Sequence, residues 1–410
     1  MNKSHTNWKK LKIEDCAEVI GGGTPSTKKK EYWDGDISWI TPKDLSNYNN
    51  RYISKGSRNI SEKGLKYSSA RLLPKNSVLL TTRAPIGYLA ISKKELATNQ
   101  GFKSLIMKNG NVPEFFYYLL KNNINKLLQY ASGTTFMELN ATNLKSIEFY
   151  IPEVKEQKRI ASILSALDDK IELNNKTNKI LEEMAQTIFK EWFINFNFPN
   201  EDGKPYKKSG GEMINSELGK IPKGWKVITL KDIISIAKGK KPKATSDKIT
   251  EKFTMPYLTI NCYNNEATEY TEYNEKMHVK ELDIVMVMDG NAGKIFYGKE
   301  GILSSTMAKL IVEDSNLNEL VFYFLKSIEY DLMYHTVGSV IQHADKQYML
   351  NKKFCVSLDN LERLSDIFKC IRKEISLNKK ENEKLSNIRD SLLPKLMTPK
   401  GRRADGEIRV

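Results

Sequence analysis

Apolar and polar positions along the chain fall into two rhythms. Short strand-like runs, bounded by turn residues, occupy residues 37–41, 78–82, 88–92 and 104–107. A second set follows at 255–260, 284–288 and 308–312. From Pro113 the rhythm becomes a helical stripe through Phe116, Leu119, Leu120 and Leu127, which predicts one helix there. The sharpest pattern is a 4,3 alternation in two long stretches. The first joins Ile160, Leu164, Leu167, Ile171, Asn174, Asn178, Leu181, Ala185, Ile188 and Trp192. The second joins Leu364, Phe368, Ile371, Ile375, Asn378, Asn382, Leu385, Arg389, Leu392 and Leu396. A sustained 3.5-residue spacing marks a coiled-coil seam rather than the broader face of a globular helix. Both seams carry two asparagines at the centre, and a buried amide is costly unless a facing group satisfies it. Two such helices crossing antiparallel would set Asn174 and Asn178 against Asn378 and Asn382. At 1.5 Å per residue, ~35 residues make a helix roughly 50 Å long.

The two rhythms recur in the same order, because the chain repeats itself. Trp8, Asp15, Gly22 and Pro25 match Trp225, Asp232, Gly239 and Pro242 without a gap. Asn111, Glu114, Tyr118, Leu120 and Lys121 match Asn316, Glu319, Tyr323, Leu325 and Lys326, and Gly133 matches Gly338. The run from Ile171 (Ile-Glu-Leu-Asn-Asn-Lys) matches that from Ile375 (Ile-Ser-Leu-Asn-Lys-Lys). Four matches in one order indicate duplication. The expected fold class is therefore α+β. Two similar mixed α/β globules are joined by two long helices in an antiparallel coiled coil, with a pseudo-twofold inside one chain. The parts fall at residues 1–152 (first globule), 153–198 (first helix), 199–224 (linker), 225–359 (second globule), 360–397 (second helix) and 398–410 (tail).

Composition narrows the chemistry. The chain has 410 residues and a net charge of +15, with 40% apolar residues, 19 Tyr and 15 Phe, which excludes a disordered chain. No apolar run approaches the ~20 residues of a membrane span, and no hydrophobic leader follows Met1, so a cytoplasmic protein without a membrane partner is expected. Cys16, Cys262, Cys355 and Cys370 are scattered, and the four histidines lack ligand spacing, so no metal site is expected. There is no phosphate-binding glycine loop and no dinucleotide fingerprint. No catalytic residues and no cofactor are expected in this chain. Of the +15, +11 lies in residues 1–152 and +3 in residues 394–410, while residues 193–359 are neutral. A basic balance of this kind favours a nucleic acid partner.

Several stretches together resemble the specificity (S) subunits of type I restriction–modification systems. The opening Trp8, Gly23-Thr24-Pro25-Ser26 and the run Tyr32-Trp33-Asp34-Gly35-Asp36-Ile37-Ser38-Trp39-Ile40-Thr41 resemble the start of that family's target-recognition domain. Ile151-Pro152, Gln157, Arg159-Ile160 and Leu167-Asp168-Asp169-Lys170-Ile171 resemble the entry to its conserved spacer. Trp192-Phe193, Phe198-Pro199-Asn200, Gly203, Pro205 and Gly219 to Trp225 resemble the link to the second domain, and Ser391 to Met397 resembles the end of the second spacer. The family tail often runs from Leu-Met almost directly into Gly-Glu-Ile, whereas here residues 398–405 intervene. The resemblance implies that each globule reads one half of a bipartite double-stranded DNA target. The helices would set the distance between halves and dock methyltransferase (M) subunits, two of them, with restriction (R) subunits able to join. S-adenosylmethionine, ATP and Mg2+ would sit on those partners, which methylate adenine N6.

Base reading needs donors and acceptors on projecting loops, and phosphate positioning needs Lys and Arg. Candidates in the first globule are Lys28, Lys29, Lys30, Tyr32, Lys43, Arg83, Thr134 and Thr135. Those in the second are Lys238, Lys240, Lys241, Lys243, Asn291, Lys294, Ser339 and Gln342. Arg83, Lys43, Gln342 and Asn291 are weighted towards bases and the lysine runs towards phosphate. The coiled-coil core comprises Leu164, Leu167, Ile171, Asn174, Asn178 and Leu181 with Ile371, Ile375, Asn378, Asn382 and Leu385. Trp192, Phe193 and Phe196 are either packing against the adjacent globule or a partner interface. Two rival readings stand beside the main one: a self-sufficient two-module DNA-binding regulator, and a coiled-coil scaffold with two protein-binding heads.

Overall fold

The computed structural model describes residues 8–83, 85–133, 137–263, 268–338, 342–357 and 361–399. The chain forms two compact units. One takes the residues up to Asn175 together with those from Lys379 on, and the other is Lys176–Asn378. Both boundaries fall inside the long helices, Val154–Phe189 and Leu361–Leu396.

In the first unit, Lys9–Lys12 pairs antiparallel with Glu148–Ile151, so the two ends of the globule close on each other. Between them lies a five-stranded sheet in the order Ala17–Gly21, Phe102–Met107, Val78–Thr82, Ile86–Ser92, Tyr52–Ile53, antiparallel except for the last, parallel pair. A smaller sheet sets Trp33–Ile40 between Arg58–Ile60 and the parallel strand Ala97–Thr98. The helix Pro113–Asn122 is buried at every position from Phe115 to Leu120. A helix buried all round can be apolar all round. It is enclosed by Leu80 and Leu105 of the sheet, by Ile160 and Leu164 of the first long helix and by Leu393 and Leu396 of the second. The single helix expected through Leu127 is two. Asn123 leaves helical geometry (φ −123°) and turns its amide onto the Leu119 carbonyl at 2.8 Å, so Ile124–Gln129 starts afresh.

The second unit repeats this plan. Lys226–Thr229 pairs with Lys353–Val356, and the main sheet runs Ile234–Lys238, Met307–Val312, Ile284–Val287, Ile295–Tyr297. A second sheet runs Glu269–Thr271, Met255–Leu258, Gly301–Leu303, His278–Val279. Asn318–Ser327 is the counterpart of the buried helix, closed in from Glu319 to Leu325. The repeated glycine has one physical cause in both units. A Cβ at Gly22 would lie 2.0 Å from the Asn99 carbonyl oxygen, and one at Gly239 would lie 2.1 Å from that of Ser304. Only glycine lets the first loop cross that close to the neighbouring strand.

The two long helices pair antiparallel inside each unit. In the first unit the Asn174 amide donates to Asn382 Oδ1 (2.9 Å) and to Glu381 Oε2 (2.7 Å), while Asn382 donates to Asn175. In the second unit Asn378 donates to Asn178 Oδ1 at 2.9 Å. Leu164, Ile171, Asn174, Ile371, Ile375 and Asn378 are buried, and Leu167, Asn178, Leu181, Asn382 and Leu385 are half-buried. The expected antiparallel asparagine pairing is present. The first α-helix ends at Phe189, where a π-helical turn, Lys190–Ile194, takes over.

Candidate nucleic-acid interface

The first lysine-rich loop is held from beneath by two indoles. Trp39 donates to the Gly23 carbonyl at 2.9 Å and Trp33 to that of Ser26 at 3.2 Å. The loop backbone is therefore anchored while Lys28, Lys29 and Lys30 stay exposed. Tyr32, expected to face DNA, is instead 5% exposed, and its hydroxyl accepts from Lys29 Nζ at 3.0 Å. It serves as the floor of the loop, because the turn Lys30–Tyr32 feeds directly into the strand Trp33–Ile40, whose first residue is buried. That contact holds the Lys29 ammonium above its usual pKa. Lys43 is exposed on the short turn Pro42–Leu45. Its neighbour Asp44 locks this turn, accepting from the Thr41 amide (2.7 Å), the Thr41 hydroxyl (2.7 Å) and the Ser57 amide (2.8 Å).

Arg83, weighted towards base reading, follows the central strand Val78–Thr82 but is not free. Its guanidinium is 2.8 Å from Glu138, which also lies 3.9 Å from Lys103. Burial lowers the Lys103 pKa, and Glu138 opposes that. Arg83 and Glu138 also form a β-bridge at the base of the loop that begins at Ser132. Thr134 and Thr135 lie outside the described residues.

The second unit uses the same sites with different side chains. Asp289 and His343 form the equivalent bridge, Oδ1 to Nδ1 at 2.7 Å, and Lys238 approaches Asp289 at 3.6 Å. Next to them the Gly290 amide donates to the Gln342 carbonyl at 3.0 Å, which brings the exposed Asn291 and Gln342 to one loop cluster. Ser339 lies outside the described residues. Lys294 is half-buried, with its ammonium 5.4 Å from the Phe296 ring centre, and so is less available than expected. Lys240, Lys241 and Lys243 line a cleft of about 330 Å³ with Asn274 and Lys276. Lys276 escaped sequence reasoning because it sits in an acidic stretch and only the fold carries it to the cleft. In the first unit Arg58 was missed likewise; its guanidinium lies 3.6 Å over the Trp33 ring.

The aromatic cluster ending the first helix resolves differently from a partner interface. Phe193 and Phe196 are buried in the core of their own unit, and Trp192 packs against it. Phe193, Phe196 and Phe198 surround Trp225 at 5.5, 5.7 and 4.8 Å between ring centres. Phe196 even adopts φ +58° to reach this place. Phe193 and Phe196 thus pack inside their own unit, as the packing alternative expects, while Trp192 keeps part of its surface exposed.

Two similar units, each carrying exposed lysines on loops beside a sheet, suit two readings of one polyanion. A profile of the Type I restriction modification DNA specificity domain matches residues 5–183 and again 222–387. The chain belongs to this family. It is similar to the type I restriction enzyme MjaIX specificity subunit of Methanocaldococcus jannaschii, with 36% identity over all of this chain and 95% of the relative. The type I restriction enzyme HindI specificity subunit of Haemophilus influenzae is 22% identical over 72% of this chain and 79% of its own length. A crystal structure of the type I restriction-modification system S subunit from M. genitalium matches with a TM-score of 0.60 at 18% identity, covering 97% of this chain and 98% of that one. A type I specificity subunit selects DNA rather than catalysing a reaction. Among the described residues no group of His, Cys, Asp and Glu is placed to hold a metal, and no helix is long and apolar enough to cross a membrane.

Proposed function

We propose that this chain reads a split DNA target, with the unit containing residues 8–152 reading one half and that containing residues 225–357 the other. The observation that carries the reading is the duplicated plan: the same order of the first four strands of the main sheet, the same close-approach glycine and a loop bridge at the same place, dressed with different side chains. Similar scaffolds with dissimilar loops suit two unlike half-sites. The paired helices set the distance between the halves and dock methyltransferase subunits, two in number, which carry S-adenosylmethionine and methylate adenine N6. Restriction subunits with ATP and Mg2+ join that assembly. The chain itself contributes no catalytic group and acts in the cytoplasm. Basic loops on both units favour this reading over a protein-binding scaffold, and the paired helices favour it over a self-sufficient regulator.

The test is co-expression with the neighbouring methyltransferase gene, followed by single-molecule methylome sequencing. One split motif carrying N6-methyladenine is expected. Replacing residues 1–152 by those of a relative should change one half of the motif and leave the other intact. A change in both halves, or no split motif from an active complex, refutes the reading.

A further inference from the structure

Each globule rests on its own stretch of the paired helices through a buried arginine, supplied by the globule in the first unit and by the helix in the second. In the first unit the globule supplies the cation. Arg51 is 2% exposed, and its backbone amide and Nε both donate to Glu172 Oε1, at 2.8 and 3.2 Å. Its guanidinium also contacts Asp169 and lies 3.9 Å from Asp168. Asp168, 4% exposed, accepts from the Tyr118 hydroxyl at 2.6 Å and from Arg389 of the second helix at 2.6 Å. Three carboxylates of the first long helix thus receive one arginine from the recognition module.

The gap-free match of Ile171 to Ile375 places Arg372 where Asp168 stands, Lys373 where Asp169 stands and Ser376 where Glu172 stands. In the second unit the helix therefore supplies the cation. Arg372, 4% exposed, stacks 3.4 Å from the centre of the Tyr297 ring and donates to the Glu281 carbonyl at 3.4 Å. Glu281 also takes the Ser376 hydroxyl, and the buried Glu319 takes that of Tyr297. Tyr323, the counterpart of Tyr118, has the carboxylates of Glu182 and Glu319 near enough to raise its pKa along with burial, but among the described residues its buried hydroxyl has no hydrogen-bond partner. The missing bond is what replacing an aspartate by an arginine at that helix position produces.

We propose that this inverted polarity is a key: each recognition module seats correctly only on its own half of the helical spacer, and Arg51 and Arg372 are the positioning residues that enforce the match. The inference rests on the two-reader function for its consequence but not for its physics. A first module seated on the second half would press Arg51 against the buried Arg372, beside the exposed Lys373, and an unpaired buried charge is strongly destabilising. The key makes the order of the two half-sites a property of the chain and prevents a symmetric reader from arising by simple duplication of the first module.

The test is a full-length chimera in which residues 8–152 also replace residues 225–357, so that the first module occurs twice. It is compared with the same chimera carrying Arg372→Asp, Lys373→Asp and Ser376→Glu. Two readouts are taken with the methyltransferase bound. Thermal melting is read without DNA, so it decides the key even if no split motif is methylated. The key-matched chimera should melt roughly 10 °C above the unmatched one. It should also methylate an inverted-repeat target at least ~10-fold faster. Equal melting of the two chimeras overturns the key, as does a matched chimera melting below the unmatched one. A wild-type complex lacking any split motif would overturn the two-reader function alone.

Discussion

Changing Asn174 to Leu removes a defined set of hydrogen bonds from the centre of the first unit's helix pair. Asn174 is 3% exposed and donates to both Asn382 and Glu381. Leucine keeps the number of heavy atoms, though it is bulkier, and leaves the Asn382 carbonyl without its donor. A buried polar group orphaned in this way costs ~1–3 kcal/mol, and a net hydrogen bond contributes ~1 kcal/mol more. Glu381 suffers less, since Lys170 remains 3.1 Å away and half of its surface is wet. The single variant should therefore lose about 2–3 kcal/mol, and Asn382→Leu somewhat less, because Asn382 is half-buried. The double variant Asn174→Leu/Asn382→Leu replaces the polar pair by an apolar one and should return to within about 1 kcal/mol of wild type. In a unit of this size 1 kcal/mol moves Tm by about 2–4 °C. The assay is a double-mutant cycle by thermal melting of the full chain. The expected signature is two depressed single variants and a restored double. Additive losses in the double variant would refute the pairing argument, because they would mean that each asparagine is satisfied independently.

Three further outcomes are expected. Gly239→Ala should destabilise the second unit by more than ~2 kcal/mol and displace Lys240 and Lys241, since the new Cβ meets the Ser304 carbonyl at 2.1 Å; melting and DNA affinity report both, and a neutral variant contradicts the close approach. Asp44→Ala should cost about 1 kcal/mol by uncapping the turn that presents Lys43. Burial by itself would raise the Asp44 carboxyl, but the bonds from Thr41 and Ser57 outweigh it and hold its pKa below 3.8. This stabilisation is complete above the unfolded value and is lost as pH falls through the depressed folded one; an acid titration of stability that is identical in wild type and Asp44→Ala contradicts it. Finally, Lys28, Lys29 and Lys30 changed together to Gln should flatten the salt dependence of DNA binding more than the same change at Lys240, Lys241 and Lys243. Each phosphate that is no longer neutralised should reduce the log–log slope by ~0.9. Equal slopes would mean that the concentration of charge in the first module carries no weight.

Much of the architecture was legible because it is written in local periods and in repetition. The 4,3 seam needs only its own sequence to announce a helix pair, and the central asparagines announce their partners, because buried amides demand complementary amides at the same level. Gly22 and Gly239 were visible as a repeat, although the strand that forbids a side chain there was not. The lysine loops were legible as exposed charge for the same reason: lysine runs remain solvated wherever the fold puts them.

Other features depended on distances that no local pattern encodes. Arg51 follows two asparagines in an apparently solvated turn, yet it is buried against acids 117 to 121 positions away. Tyr32 lies beside three lysines but faces inward. Arg83 looks like a base reader until Glu138 neutralises it. Phe193 and Phe196 read equally as core packing or as a partner interface until Trp225 is seen to fill the space between them. By itself the sequence determined the duplicated plan, the antiparallel helix pair and the unequal charge of its two halves, since periodicity, repetition and net charge are additive along a chain. Only the tertiary structure decided which charges are free, which are already paired and how each module is seated, because burial and ion pairing depend on neighbours that the chain brings together from far apart.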